Sequence, residues 1–435
     1  MVGKWEWFPY SFLDRATDQA RSVFASHTDG GDGGLLTSKV YDSGVVRQAD
    51  PETMVPGMTL IVSSWKWGST VELEPGAKLV SEEGKVIHSW KPDRSELFPD
   101  PVDFRSSNPR REDFHGSYLL PNGDLILVLN YIGAVRIDAC GDLVWRLKEG
   151  NHHSVARTGD GSFWIPGTSS ERRTSTSAFP DGFPGIDKPV WLDQILHVSE
   201  GGEVLDKINV LDALYENGLE RYIVKAMDPY PSDVRDDPVH LNDIEPLDPS
   251  MAGEYPLFEA GDLLISLRHL SLVLVFDPGS KKVKWHASEP WTHQHDPDFI
   301  GDGWIGVFDN NTDLAERGEM FGGSRIVAVQ PHTDSTVIQF PTDRSEPFYT
   351  DVRGKWQKLE DGNMLLTESN PGRVVEVAPD GHTVWEWIHE PYNDSQVPFV
   401  TKATRHDLTR GEVASWSCSS VDSVSTSARK QQTAP

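Results

Sequence analysis

The sequence predicts an all-β fold, a six-bladed β-propeller with a short N-terminal helical extension. Two observations lead to this prediction. A phrase of strand, tight turn and strand, often ending in Trp, recurs six times, and a histidine recurs eight residues before a turn glycine. Repeats of this kind in a chain of short strands are typical of architectures in which equivalent positions converge on one axis. We therefore expect a central channel lined by the same position of successive blades.

The repeated hairpins are the outer parts of the predicted blades. Three copies are strong and three are weak, and each follows an apolar phrase that predicts an inner strand. The strong copies cover residues 79–90, 135–145 and 375–385, and the weak copies cover 196–208, 273–285 and 326–340. Four tryptophans end these hairpins, and we interpret them as core residues between blades: Trp90, Trp145, Trp285 and Trp385.

The spacing between histidine and glycine places the blade starts. His115 precedes Gly123 by eight residues, His153 precedes Gly161, and His295 precedes Gly303. The last copy has Gly354 before Gly362, and at His240 an insertion displaces the turn glycine to Gly261. The blade starts share one rim, so we expect these histidines to face one channel. Recurrence at a repeat position raises the chance that each has a chemical role.

Both ends of the chain differ from the middle. Residues 1–37 form the predicted extension, in which helical spacing of apolar residues and a capping pattern favour one short helix at 11–27. The propeller is predicted for 38–400, and 401–435 is a C-terminal segment ending in a Ser-rich tail that we expect to be disordered. The longest interruption, residues 209–238, predicts a helix that caps the channel mouth.

The charge balance argues against nucleic acid or an anionic membrane as a partner. Asp and Glu number 67 against 40 Lys and Arg, a formal net charge of −27, which repels polyanions. No run of about 18 apolar residues encodes a membrane span. The start lacks the apolar core of a signal peptide, so we expect a cytoplasmic protein, or a periplasmic one if the N-terminus was trimmed. Cys140 and Cys418 lie far apart and predict no disulfide framework.

Arg268 is the cation most open to a functional interpretation. It ends the very apolar run 263–267, where a charge is costly unless it has a ligand or a partner. A salt bridge to one of the many acids is the structural alternative. Its functional role would be an anion clamp, because a guanidinium offers a fork of donors to tetrahedral oxyanions.

The chain resembles the bacterial arylsulfate sulfotransferase family, six-bladed propellers that move a sulfuryl group between phenols without a nucleotide sulfate donor. Four segments carry the resemblance: Gln294-His295-Asp296 leading to Phe308-Asp309-Asn310, then His240-Leu241-Asn242, residues 265–269, and the pair His152-His153. The resemblance implies that His295 is transiently sulfated and that His240, Arg268 and one of the histidine pair bind the sulfate. From the eight-residue spacing we select His153. We place His115, Asn242 and His152 on the substrate-binding side.

Sulfuryl chemistry fits these residue types independently. Sulfate monoesters react through a loose transition state, so catalysis is mainly positioning and charge stabilisation. A neutral imidazole is a suitable nucleophile near neutral pH. We therefore predict an aryl sulfotransferase with a ping-pong mechanism, small aryl sulfates and phenols as partners, and neither a metal nor another cofactor; the oligomeric state is open.

Two other classes of function stay open at this point. A metal-dependent hydrolase or oxidase would use His115, His153, His240 and His295 as ligands, because imidazole binds zinc, copper and iron. A non-catalytic propeller would present its loops to a protein partner, and Arg268 would then be replaceable without loss of function.

Overall fold

The computed structural model describes residues 35–68, 70, 72–99, 105, 113–227, 236–313, 315 and 317–416. These residues form 27 strands and four α-helices. The helix predicted for residues 11–27 and most of the Ser-rich tail lie outside the described residues. None of the helices in the described part of the chain is long and apolar enough to cross a membrane.

The strands follow the chain blade by blade. β1 (Leu36–Ser38) and β2 (Val45–Gln48) precede β3 (Met58–Lys66), β4 (Leu73–Val80) and β5 (Val86–Trp90). The next groups are β6 (Phe114–Leu119), β7 (Leu125–Leu129), β8 (Gly133–Ile137) and β9 (Leu143–Leu147), then β10 (Ala156–Arg157), β11 (Phe163–Thr168), β12 (Asp193–Val198) and β13 (Val204–Asn209). β14 (Leu241–Pro246), β15 (Leu263–Leu267), β16 (Leu272–Asp277) and β17 (Lys282–Ala287) are followed by β18 (His295–Phe299), β19 (Ile305–Asp309), β20 (Arg325–Gln330) and β21 (Ser335–Phe340). The last strands are β22 (Lys355–Lys358), β23 (Met364–Glu368), β24 (Arg373–Val377), β25 (Thr383–Ile388), β26 (Gln396–Pro398) and β27 (Val400–His406).

Six antiparallel sheets form the six blades, which confirms the predicted fold class. Blades 2 to 5 each use four consecutive strands, from β6–β9 to β18–β21. Blade 6 has the order β2-β25-β24-β23-β22, and β1 pairs with β26 outside the blades. The second strand of each of these five blades is buried along its whole length. It is covered by a neighbouring blade on each face, which is why its sequence is a continuous apolar run rather than an alternating one.

Blade 1 is built from both ends of the chain. β27 supplies its inner strand by pairing with β3, from Val400 opposite Ser63 to His406 opposite Met58. Full closure of this kind removes the open sheet edges at which strands aggregate. The propeller therefore extends to residue 406. The sequence predicted its boundary at 400 because the closing strand does not belong to a repeated hairpin.

The outer hairpins and their tryptophans confirm the repeat analysis. All six predicted phrases are outer hairpins of the blades. Trp90 is 1% exposed and Trp385 is fully buried, and both pack against residues of two neighbouring blades. The indole N–H of Trp90 donates to Gly123 of blade 2, and that of Trp385 donates to Glu82 of blade 1. The rings thus satisfy their donor across the blade interface.

The inner strands all begin at one rim of the channel. In blades 2, 3, 5 and 6 the inner strand runs from this rim to a turn whose glycine has a positive φ: 87° at Gly123, 90° at Gly161, 74° at Gly303 and 84° at Gly362. Glycine adopts this conformation without the steric cost that a Cβ brings. The constant distance from rim to turn is the physical origin of the eight-residue spacing.

The helices are α1 (Arg94–Leu97), α2 (Val210–Glu216), α3 (Glu220–Met227) and α4 (Arg410–Ser415). α2 and α3 lie in the interruption for which the sequence predicts a helix. α2 is capped by Asn209, whose side chain accepts from the N–H of Asp212, and its apolar face joins the core of blades 3 and 4.

Cys140 is disulfide-bonded, so the expectation that the chain forms no disulfide is wrong.

Candidate active site

His295 is held at the rim by the start of blade 5. It is the first residue of β18 and lies opposite Phe308 on β19. A register shift follows at Asp296, which has a φ of 46°. Bulges of this kind redirect a side chain and are common beside active sites. Asp296 is held there because its carboxylate accepts from the N–H of Trp356 and from Lys355 Nζ, at 2.7 and 2.6 Å.

Asn310 determines which nitrogen of His295 carries the proton. Its amide Nδ2 donates to two carbonyl oxygens, those of Thr350 and Arg353, each at 2.9 Å. The amide oxygen is therefore oriented as an acceptor, and it lies 2.6 Å from Nδ1 of His295. An acceptor at this position requires a proton on Nδ1. Nε2 of the neutral ring is left with its lone pair.

His295 is neutral near physiological pH. It is 4% exposed, and burial lowers its pKa well below 6.5, with the charge of Arg268 acting in the same direction. Burial disfavours the charged form of a base, and a neighbouring cation adds to that effect. The combination of a neutral ring and a defined tautomer gives His295 a nucleophilic Nε2.

Arg268 lies where the sequence placed it, directly after the buried strand β15. It opens a 3₁₀ turn, Arg268–Leu270, and its N–H donates to the carbonyl oxygen of His240 at 3.0 Å. Together with burial, its charge lowers the pKa of His293 to about 3. Arg268 therefore brings a positive charge close to both His293 and His295.

His240 forms a buried charged cluster with Asp237. Its Nδ1 lies 2.5 Å from the Asp237 carboxylate, which also accepts from Arg105 at 2.6 Å. Burial alone would raise the pKa of Asp237, but His240 and Arg105 hold it well below 3.8. Burial also lowers the pKa of His240 well below 6.5. The neutral ring therefore donates Nδ1–H to a carboxylate that is able to stabilise the imidazolium.

The pair His152 and His153 has two distinct roles. Nε2 of His152 lies 3.2 Å from the carbonyl oxygen of Gly167 and must donate to it, which leaves Nδ1 as an acceptor. Nδ1 of His153 lies 2.8 Å from that nitrogen and therefore carries the donated proton. His152 is fully buried, whereas His153 is 7% exposed and its ring lies 4.8 Å from that of His240. His153 therefore lies beside His240 and carries its proton on Nδ1, which leaves Nε2 with its lone pair; the role selected for it stays a prediction.

His115 connects the two sides of the rim. Its ring stacks on His153 with 5.0 Å between the centres, and its Nε2 accepts from Nε of Arg353 at 3.0 Å. Arg353 is also paired with Asp113 at 2.7 Å. Because Asn310 donates to the Arg353 carbonyl, a continuous series of contacts runs from His295 through Asn310 and Arg353 to His115.

Asn242 supports the site from behind. It is fully buried, and its amide donates at 2.9 Å to the carbonyl oxygen of Gln294, the residue before His295. Gln294 is also fully buried and donates to Ser266 at 3.0 Å. Asn242 and His152, which we predicted on the substrate-binding side, are thus placed to orient their neighbours.

The structure brings together all seven residues selected from the sequence and adds others. Asp237 and Arg105 belong to segments without a repeat signal, so their pairing with His240 was not predictable. Tyr131 packs 4.9 Å from the ring of His152 and 4.4 Å from the guanidinium of Arg105. Tyr131 has a φ of 56°, which is unusual for an aromatic residue, and no sequence pattern predicted it. The ring of His269 lies 4.3 Å from that of His240.

The alternative function, a metal-dependent enzyme, predicted four histidine ligands, and the described residues support a metal site only weakly. Among the described residues, Asp237, His240 and His269 offer ligand atoms within 4.8 Å of one another. The Asp237 carboxylate already accepts from Arg105, from the backbone N–H of His240 and from the ring Nδ1–H of His240. A metal ion bound by this group would have one anionic ligand, Asp237. The positively charged Arg105 already lies within hydrogen-bond distance of that carboxylate and would repel the ion. Asp237 is therefore already engaged by other donors, which makes it a poor additional ligand for a metal ion.

Taken together, these features define a six-bladed propeller whose channel mouth combines neutral histidines of defined tautomer with arginine. A sequence profile of the arylsulfotransferase (ASST) family matches residues 117–390, more than half of the chain. The chain belongs to the arylsulfotransferase family, which confirms the resemblance seen in the sequence. A comparison with curated protein sequences finds no match.

Solved structures with a similar arrangement are distant in sequence. A protein of unknown function from Bacteroides caccae is 12% identical, with 79% of this chain and 99% of that chain covered and a TM-score of 0.48. A streptogramin B lyase is 9% identical, with 84% and 98% covered and a TM-score of 0.40. A virginiamycin B lyase from Staphylococcus aureus with quinupristin is 11% identical, with 65% and 72% covered and a TM-score of 0.35.

Proposed function

We propose that this protein transfers a sulfuryl group from an aryl sulfate to a phenol by a ping-pong mechanism through sulfated His295, without a nucleotide donor. The family membership supports the reaction class. The observation that carries the mechanism is the hydrogen bond from His295 Nδ1 to Asn310, 2.6 Å long. It directs the lone pair of a neutral imidazole at Nε2, which is what a nucleophile for an electrophilic sulfur needs.

In the first half-reaction the Nε2 lone pair of His295 attacks the sulfur of the donor. The N–S bond forms as the bond between sulfur and the aryl oxygen breaks, and the oxygen leaves with the bonding electrons as phenolate. Phenols have a pKa near 10, so a hydrogen bond or a proton is enough to stabilise this leaving group. Asn310 accepts from Nδ1–H throughout and stabilises the positive charge that develops on the ring.

Arg268 and His240 bind the oxygens of the sulfuryl group. Arg268 presents a permanent cation beside His295. The proton on Nδ1 of His240 is donated to Asp237, so His240 donates to a sulfate oxygen only when Nε2 is also protonated. The bound anion and Asp237 both favour that imidazolium. Binding of the donor is therefore coupled to uptake of a proton.

His153 serves the second half-reaction as a base. Burial holds its pKa well below 6.5, and its Nδ1–H is donated to His152, so Nε2 is free to accept the proton of the acceptor phenol. The phenol oxygen then attacks the sulfur of sulfo-His295, and the N–S electrons return to Nε2. The proton held by His153 passes to the next departing phenolate, which balances the cycle.

A burst experiment tests the proposal. Mixing the protein with 4-nitrophenyl sulfate and no acceptor should release one equivalent of 4-nitrophenol and add one sulfuryl mass to the peptide that contains His295. His295→Ala should abolish both signals, whereas His332→Ala, an exposed histidine in an outer hairpin, should preserve them. Turnover by His295→Ala within about tenfold of the parent, roughly 1.4 kcal/mol in barrier, would falsify the assignment of the nucleophile.

A further inference from the structure

A second cavity lies between blades 6 and 1, outside the channel. Its volume is about 550 Å³, in the range of small-molecule sites. Three rings form one wall: Trp65 stacks on His389 with 4.7 Å between centres, and Trp387 meets both at 5.9 and 5.4 Å. The loop residue Tyr392 adds a fourth ring to the lining. Aromatic rings thus form one side of the cavity.

Two lysines supply positive charge to this cavity. Lys78 Nζ lies 4.1 Å from the ring centre of Trp65 and 5.1 Å from that of Trp67, and burial lowers its pKa. Lys66 Nζ lies 4.6 Å from the ring centre of Tyr392 and donates to that residue's carbonyl oxygen at 3.0 Å. A cationic ligand would be repelled by both ammonium groups. The cavity therefore favours an anion.

Lys78 is unusual in a chain with 67 acidic residues. Among the described residues no carboxylate forms an ion pair with it. The nearby carboxylate of Glu74 on the same strand is paired instead with Lys91 at 2.6 Å, and Glu390, which also lines the cavity, packs against Gly44. A half-buried ammonium whose contacts are aromatic rings keeps its charge available for a ligand.

His389 reinforces this interpretation. Its Nδ1 lies 2.9 Å from the carbonyl oxygen of Glu390, and its Nε2 lies 3.1 Å from that of Ser64. A neutral ring is able to donate to only one of them. Burial lowers the pKa of His389 to about 4, and Lys78 and Lys66 act in the same direction. An anion in the cavity would offset the lysines and allow the ring to donate to both carbonyls.

One loop connects the lining of the cavity to the rim that carries the channel histidines. Pro398 belongs to its lining, and the next residue, Phe399, lies under the guanidinium of Arg353 at 3.9 Å. Arg353 in turn donates to His115 in the channel mouth. Two residues of one loop therefore face the cavity and the active-site rim. A ligand in the cavity would lie beside the mouth without occupying it.

We propose that this cavity binds aromatic anions, molecules with a planar ring and one negatively charged substituent, at a site separate from the channel. The ring stacks on the aromatic wall and the anionic group meets Lys78 and Lys66. The binding site does not depend on the proposed function, but under that function its natural ligand is the aryl sulfate donor. Lys78 and Lys66 would attract such a donor locally, although the overall charge of −27 repels anions.

The test uses 4-fluorobenzenesulfonate, an aromatic anion whose carbon–sulfur bond cannot donate a sulfuryl group. Binding is measured by calorimetry and ¹⁹F NMR in an Arg268→Ala background, which weakens binding in the channel. Lys78→Met should weaken binding by at least about tenfold, roughly 1.4 kcal/mol. Lys85→Met removes the same charge from an exposed position of the same hairpin and should leave the affinity unchanged. Methanesulfonate, which lacks a ring, and 4-fluorophenol, which lacks a charge at pH 7, should each bind at least about tenfold more weakly.

Three results would each overturn the inference. They are no binding of 4-fluorobenzenesulfonate, an equal loss of affinity in Lys78→Met and Lys85→Met, or methanesulfonate binding as tightly as 4-fluorobenzenesulfonate. Lys66→Met gives a second variant if Lys78→Met does not fold, and it too should weaken binding. Release of phenol from an aryl sulfate is measured separately. A protein that binds the sulfonate through Lys78 yet transfers no sulfuryl group contradicts only the proposed function, and an active transferase without this binding contradicts only the cavity.

Discussion

Replacing Asn310 by alanine is the sharpest test of how the site prepares His295. The change removes the acceptor 2.6 Å from Nδ1 and leaves a buried N–H without a partner. An unsatisfied buried donor costs about 1–3 kcal/mol. The ring relieves that cost by moving its proton to Nε2, where it blocks the nucleophile. At about 1.36 kcal/mol per tenfold, transfer to His295 should slow by roughly 5- to 150-fold.

Rapid mixing with 4-nitrophenyl sulfate in the absence of acceptor measures this step directly. The rate of the burst should fall in Asn310→Ala, while the KM for the donor changes little, because Asn310 contacts Nδ1 of His295 and not Nε2, the nitrogen that we propose attacks the sulfur. Asn363→Ala is the matched control: Asn363 is also buried and donates to a backbone carbonyl, that of Thr53, at 2.8 Å, but it has no histidine partner. It should lower stability and leave the burst rate intact.

Asn310→Asp separates orientation from simple loss of packing. A carboxylate keeps an acceptor for Nδ1–H but stabilises the imidazolium, so the pKa of His295 should rise and the acidic limb of the pH profile should move upward. A burst rate in folded Asn310→Ala within about twofold of the parent, less than about 0.5 kcal/mol, would refute the argument that Asn310 selects the tautomer.

The remaining predictions address protonation, the anion site, metal and the closure of the ring. Because burial holds the pKa of His295 well below 6.5, its neutral form persists as the pH falls, so at saturating donor, where the proton uptake that accompanies binding is complete, the burst rate should stay constant down to about pH 6.5 and decline only below it; a midpoint above 6.5 contradicts this. Arg268→Ala and His240→Ala should each slow transfer by about 10²–10³, the usual effect of losing one oxyanion donor, as single-turnover rates will show. Prolonged chelation with EDTA should leave activity unchanged, and a loss restored by one zinc or copper per chain would favour the metal alternative. Ala403→Asp buries a charge in the closing strand, where Ala403 is 1% exposed, so its melting temperature should fall well below that of Thr404→Asp on the less buried face; equal melting temperatures would argue against closure by β27.

The repeat analysis succeeded where a residue acts through its place in a blade. Gly123, Gly161 and Gly303 turn equivalent strands, and the same geometry repeats at each, so spacing alone located the rim. The same spacing distinguished His153 from His152, and that choice stays a prediction. Trp145 and Trp285, also interpreted as core residues, are only partly buried where they pack at blade interfaces.

Residue spacing did not predict the features that depend on contacts between segments far apart in the sequence. Asp237 comes from the interruption before blade 4 and Arg105 from a segment between blades 1 and 2, and only folding brings them to His240. The closing strand β27 was placed outside the propeller because its partner, β3, lies more than 300 residues away. The cavity of Lys78 is invisible for the same reason, since its walls come from both ends of the chain.

By itself the sequence predicted the six-bladed fold and the family, both of which are confirmed, because a repeat imposes a constant local spacing. It also selected His295, His240, Arg268 and His153, whose roles stay predictions. Only the tertiary structure decided the protonation pattern of those residues. The tautomer of His295 depends on the orientation of Asn310, which two backbone carbonyls of the next blade impose. The state of His240 depends on Asp237 and Arg105. Proton positions are set by hydrogen-bond partners and by burial, and both exist only once the blades have closed around the channel.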